Sequence, residues 1–102
     1  LAAHPRCWIK LSAMEGLGAS PPVYKDMHEL AEALLSVGTE RLLWGTDWPH
    51  GSVMFSGNPM PNDGDLLGLL GRWVPEQATR VRILADNPAR LYGFAQADGG
   101  AA

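Results

Sequence analysis

Arg41-Leu42-Leu43-Trp44-Gly45-Thr46-Asp47-Trp48-Pro49-His50 is the stretch on which the fold turns. Leu42, Leu43 and Trp44 form a short apolar run, Gly45 interrupts it, and Asp47 and His50 follow three residues apart. A run of this kind reads as a buried strand with a polar tip. An acid just past the C-terminal end of a strand, then a proline turn and a histidine, is where an α/β barrel carries its chemistry.

Working upstream, Cys7-Trp8-Ile9-Lys10-Leu11-Ser12 alternates with period two. Cys7, Ile9 and Leu11 share one face, and Trp8, Lys10 and Ser12 the other, as in a strand. Gly16, Gly18, Pro21 and Pro22 make the next segment a loop. From Tyr24 to Ser36 the period becomes helical, with Met27, Leu30, Ala31, Leu34 and Leu35 on one stripe and Gly38 as the stop. Strand, loop, amphipathic helix, strand is the βαβ unit of a parallel sheet.

Downstream, Gly51 to Asn62 reads as a long irregular loop in which Met54, Phe55 and Met60 form either a lid or apolar anchors. Asp63 is the expected cap of a helix that carries Leu66, Leu67, Leu69, Leu70 and Trp73. Gly64, Gly68 and Gly71 weaken that helix, so it needs tertiary support. Pro75 suits the first turn of another helix, with Val81, Leu84 and Ala85 inward. Asn87-Pro88 repeats the cap-then-proline signal for a last short helix, and residues 95–102 read as a flexible tail.

The 102 residues are 46% hydrophobic and 19% charged, with a formal net charge of −3. That composition allows one small domain. Mild acidity without a Lys/Arg cluster argues against nucleic acid or an anionic membrane as partner. A single cysteine, Cys7, makes no internal disulfide, and no apolar run has the length of a membrane span or a signal peptide, so a cytoplasmic location is expected. Two parallel strands leave two open edges and an uncovered face. With Leu1 in place of an initiating methionine, this implies part of something larger; a complete (β/α)8 barrel takes roughly 200 residues or more. The chain alone is expected to be inactive.

The run Leu43-Trp44-Gly45-Thr46-Asp47-Trp48-Pro49-His50 resembles the last barrel strand of the amidohydrolase-related family, in the group that contains 2-pyrone-4,6-dicarboxylate lactonase. Trp8-Ile9-Lys10-Leu11-Ser12 resembles the family's penultimate strand and Tyr24-Lys25-Asp26 the start of its connecting helix. Asp86-Asn87-Pro88-Ala89-Arg90-Leu91-Tyr92-Gly93-Phe94 resembles its C-terminal signature. The likeness covers residues 1–94, about the last third of a family member, and implies the C-terminal part of a (β/α)8 barrel, its last two parallel strands plus helices, with the N-terminal remainder of the barrel as partner.

The resemblance implies a hydrolase of small carboxylated lactones or similar cyclic esters. Asp47 would be the catalytic general base, and His50 and Trp48 would meet the small-molecule substrate. In metal-containing relatives the aspartate also contacts a divalent ion such as zinc, whereas the lactonase subgroup is thought to need none, so the cofactor stays open. A zinc-dependent decarboxylase of the same superfamily and an inactive truncated fragment are the rival readings. One departure is plain: the loop Ala13-Met14-Glu15-Gly16 has no arginine where the dicarboxylate lactonase carries one for its substrate.

From the residues alone, Asp47 and His50 also suit a structural turn, since Asp and His both bond to nearby backbone. Trp44 suits core packing, and Thr46 either orients Asp47 or simply ends the strand. Lys10 and Ser12 suit the barrel mouth or a solvated strand end. His4 and His28 read as surface residues.

Overall fold

Residues 3–12, 27–57 and 59–95 are described in the computed structural model of the chain. The period-two segment forms β1, Ile9–Leu11, and the apolar run forms β2, Leu42–Trp44. They pair in parallel, Ile9 with Leu42, Lys10 with Leu43 and Leu11 with Trp44. Ile9 N–H to Arg41 O (3.0 Å) and Gly45 N–H to Leu11 O (3.3 Å) extend the ladder at both ends. Paired residues lie on the same side of a sheet. One side therefore carries Ile9, Leu11, Leu42 and Trp44, and the other Lys10, Leu43 and Gly45.

The first side is the core. Leu11 and Leu42 are buried with Leu70, Val74 and Ile83, and Ile9, Leu34, Leu35, Trp44 and Trp73 pack around them. Helix α1, His28–Val37, crosses between the strands. Its stripe is narrower than the periodicity predicts. Ala31 is wholly buried and Leu34 and Leu35 are half-buried, but Leu30 is 43% exposed. The helix start expected at residues 24–26 lies outside the described residues. Gly38 ends the helix at φ 142, in the region that L side chains rarely adopt, and donates to Leu35 O.

Several expectations need correction. The segment after His50 opens with a short helix, α2, Gly51–Met54. The His50 carbonyl accepts from Val53 (3.0 Å) and Met54 (2.9 Å), and Val53 is buried. Tertiary burial thus overrides a sequence of low helix propensity. Met54, Phe55 and Met60 stay exposed, so the anchor of this segment is Val53.

Helix α3, Asp63–Trp73, is capped by Asn62 and not by Asp63. Asn62 Oδ1 accepts from Asp65 N–H at 3.1 Å. Leu66, Leu69 and Leu70 face the core and Leu67 faces out.

Pro75 precedes the next helix, α4, Gln77–Val81, because Glu76 holds the N-cap position. Nor does the chain break before Asn87. It runs through a π-helical segment, Arg82–Asp86, straight into α5, Asn87–Tyr92. Asn87 N–H bonds Arg82 O across the wide turn. The turn sits where Pro88 has no N–H for the carbonyl four residues back and its ring crowds that carbonyl.

Along this continuous helix Ile83 and Asn87 are the wholly buried positions, while Val81 and Leu84 stay 46% and 43% exposed and Ala85 is also exposed. Asn87 is no cap. Its Nδ2 donates to Thr39 O (2.6 Å) and Leu42 O (2.8 Å), which fixes the start of β2. Gly93, at φ 77, ends α5. Of the expected tail, residues 96–102 lie outside the described residues.

Candidate active site

β2 hands the chain to the site through Gly45. Thr46 follows, then Asp47 at φ 66, a conformation that Asp and Asn reach more readily than most side chains. His50 N–H bonds the Asp47 carbonyl at 2.7 Å and closes a turn over Trp48–Pro49, whose peptide is cis. Thr46 does not orient the Asp47 carboxylate. Its Oγ1 accepts from the Trp48 N–H at 3.2 Å, so it braces the same turn from the other side. The result is an exposed Asp47 carboxylate on a hydrogen-bonded loop at the C-terminal end of β2.

His50 has the opposite environment. It too is left-handed, at φ 61, and is only 1% exposed. Its Nε2 meets Asp63 Oδ1 at 2.8 Å. The carboxylate fixes the ring orientation. Asp63 stands in the first turn of α3, where the helix dipole favours an anion. Because Asn62 takes the capping bond, Asp63 is left for His50. Asp63 is thus a site-region residue that sequence reading places only as a cap.

Trp48 stands 72% exposed beside Asp47, while Trp44 packs into the core as its apolar strand position predicts. Cys7 is half-buried, and Arg41 Nε donates to its carbonyl at 3.0 Å. His4 is exposed, and its Nδ1 accepts from the Arg6 N–H at 3.1 Å. His28 is half-buried, with its ring edge-to-face on Trp73. Neither lies at the strand end.

The residues at the strand end do not by themselves fit a divalent metal. Among the described residues no three His, Cys, Asp or Glu side chains gather closely enough to hold one. His50 Nε2 faces Asp63, which leaves Asp47 as a single donor, whereas zinc takes three or four protein ligands. No helix among the described residues is long and apolar enough to cross a membrane.

Two parallel strands with a crossover helix define a partial α/β fold, with an exposed acid just past the C-terminal end of β2. The amidohydrolase family model matches residues 1–94, and the chain belongs to that family. It is 46% identical over 89 residues to a 4-sulfomuconolactone hydrolase of Hydrogenophaga intermedia, with 87% of this chain and 29% of that protein covered. The corresponding protein of Rhizobium radiobacter is 47% identical, with 91% and 31% covered. A 2-pyrone-4,6-dicarboxylate hydrolase of Comamonas testosteroni is 33% identical, with 87% and 31% covered. The crystal structure of an Agrobacterium tumefaciens protein in its apo form superposes with a TM-score of 0.73 at 30% identity, over 87% of this chain and 31% of that one. The chain spans about three tenths of the length of the curated relatives it matches.

Proposed function

We propose that residues 1–94 form the closing part of a (β/α)8 barrel that hydrolyses a small anionic lactone, with 95–102 as a tail and the N-terminal remainder of the barrel as partner. The observation that carries this reading is the Asp47 carboxylate, exposed at the C-terminal end of β2 and held by a braced turn. The relatives' names, both lactone hydrolases of sulfonated or carboxylated rings, supply the substrate class.

In this mechanism Asp47 takes a proton from water as the water oxygen bonds to the lactone carbonyl carbon. The ring C–O bond then breaks, and Asp47 returns the proton to the leaving ring oxygen, giving the open-chain hydroxy acid. Trp48 is the exposed apolar surface next to the acid, suited to covering a flat ring. His50, tied to Asp63, is the polar group behind the turn, and its N–H on the Asp47 carbonyl helps to position the acid. A carboxylate held in place is worth far more than one that must be ordered at each turnover.

The test is lactone hydrolysis by the complete barrel protein carrying Asp47→Ala. Turnover falls by about 10²–10⁴-fold, the usual worth of a general base, while circular dichroism and the unfolding midpoint stay as in the parent. Retention of more than a few per cent of the rate would remove Asp47 from the mechanism.

A further inference from the structure

The sheet face opposite the main core carries a lysine in an unusual relation to a glycine. Lys10 pairs with Leu43, yet its side chain lies over Gly45, two residues nearer the C-terminal end of β2. A Cβ built on Gly45 would stand 2.7 Å from Lys10 Cε and 3.2 Å from Nζ. The lysine stem therefore leans along the strand by roughly two residue rises, about 6–7 Å, toward the segment that carries Asp47. Gly45 has no positive φ, and among the described residues a Cβ there would meet nothing else within 4 Å. The backbone does not need glycine at this position. What needs the space is the lysine.

Lys10 is exposed and makes no hydrogen bond or ion pair among the described residues. Arg41, on the same face by alternation, lies at the opposite end of β2, with its Nε on the Cys7 carbonyl. An ammonium group that lies over Gly45, two residues before Asp47 in the sequence, suits a fixed negative charge on the substrate.

We propose that Lys10, with room made by Gly45, is a specificity residue that binds the carboxylate or sulfonate substituent of the lactone while the ring carbonyl lies at Asp47. The inference rests on the lactone hydrolase reading and deepens it. An ammonium donates to either oxyanion and has no partner in a neutral lactone, so it discriminates by charge. It also supplies a cation that the loop at residues 13–16 lacks.

The experiment measures kcat and KM of the complete barrel protein for an anionic lactone and for a neutral lactone of the same ring. Lys10→Met raises KM for the anionic lactone by about 10- to 100-fold, the worth of one charge-assisted hydrogen bond, and leaves the neutral lactone within about twofold. Gly45→Ala, which keeps the charge and displaces the stem, shifts KM in the same direction by a smaller factor. Equal effects on both lactones, or none, overturn the proposal. A protein that opens neither lactone overturns the hydrolase reading instead. Calorimetric binding of benzene-1,3-dicarboxylate then reads the anchor separately: loss in Lys10→Met supports it, and unchanged binding refutes it.

Discussion

At the scale of single residues, the division of labour between Asn62 and Asp63 decides how the candidate site is built. Both are good N-cap residues, and the sequence offers no spacing rule that assigns the second of them to a histidine thirteen positions earlier. The fold makes the choice: Asn62 takes the Asp65 N–H, and Asp63 takes His50. Different costs follow for neighbouring substitutions. Asp63→Ala leaves a buried imidazole nitrogen without its carboxylate and costs roughly 1–3 kcal/mol. Asp63→Asn keeps an acceptor oxygen and costs less. Asn62→Ala removes only the cap bond, at about 1 kcal/mol. Urea unfolding of the three variants checks that order, and equal midpoints for Asp63→Ala and the parent would show that His50 does not depend on the pair. Asp47 and His50 themselves stand out in the sequence as polar residues that break an apolar run. Their contrast, one exposed and one buried, comes from the turn and from α3, which no local pattern encodes.

At the scale of elements, the strands and two of the helices are legible because their periods differ, two for Cys7–Ser12 and 3.6 for Met27–Leu35 and Leu66–Trp73. The last helical stretch is not, because its proline misleads. Asn87-Pro88 has the composition of a helix start, but here Pro88 lies inside a continuous helix whose π turn accommodates the missing N–H. The asparagine that local reading assigns to a cap is thereby turned onto the sheet. Arg41 O faces β1, where it accepts from Ile9, so by alternation Leu42 O points to the other edge of β2. Asn87 satisfies that edge carbonyl from a helix, in place of a strand. Asn87→Ala should cost roughly 2–3 kcal/mol, two hydrogen bonds at about 1 kcal/mol each with a buried carbonyl left unpaired. Asn87→Asp should be at least as harmful, because a carboxylate places acceptors against two carbonyl oxygens. A denaturation series in which aspartate rescues alanine would contradict this geometry.

At the scale of the whole molecule, the two faces of the sheet are covered unequally. Leu42 and Trp44 belong to the helix-packed core, while on the other face Leu43 is buried outside both core clusters and Lys10 is exposed. A parallel sheet normally has both faces covered. Leu30, Leu67, Leu84, Leu91 and Phe94 are each more than a third exposed, more apolar surface than the helices need to leave open. The parallel order and the strand-end acid could be read from the residues, whereas the chain's share of its relatives' length, about three tenths, is not encoded in any local pattern. A chimera tests what the remainder contributes. In it, residues 3–94 replace the matching segment of the Hydrogenophaga intermedia protein, which supplies the rest of the chain. Covering the exposed apolar side chains adds a few kcal/mol, and in a domain of barrel size each kcal/mol moves the midpoint by roughly 2–4 °C. The chimera should therefore melt in one transition several degrees above the 102-residue chain, and amides of β1 and β2 should exchange more slowly in it. A chimera in which this segment melts separately, at the temperature of the isolated chain, would show that these strands do not complete a barrel.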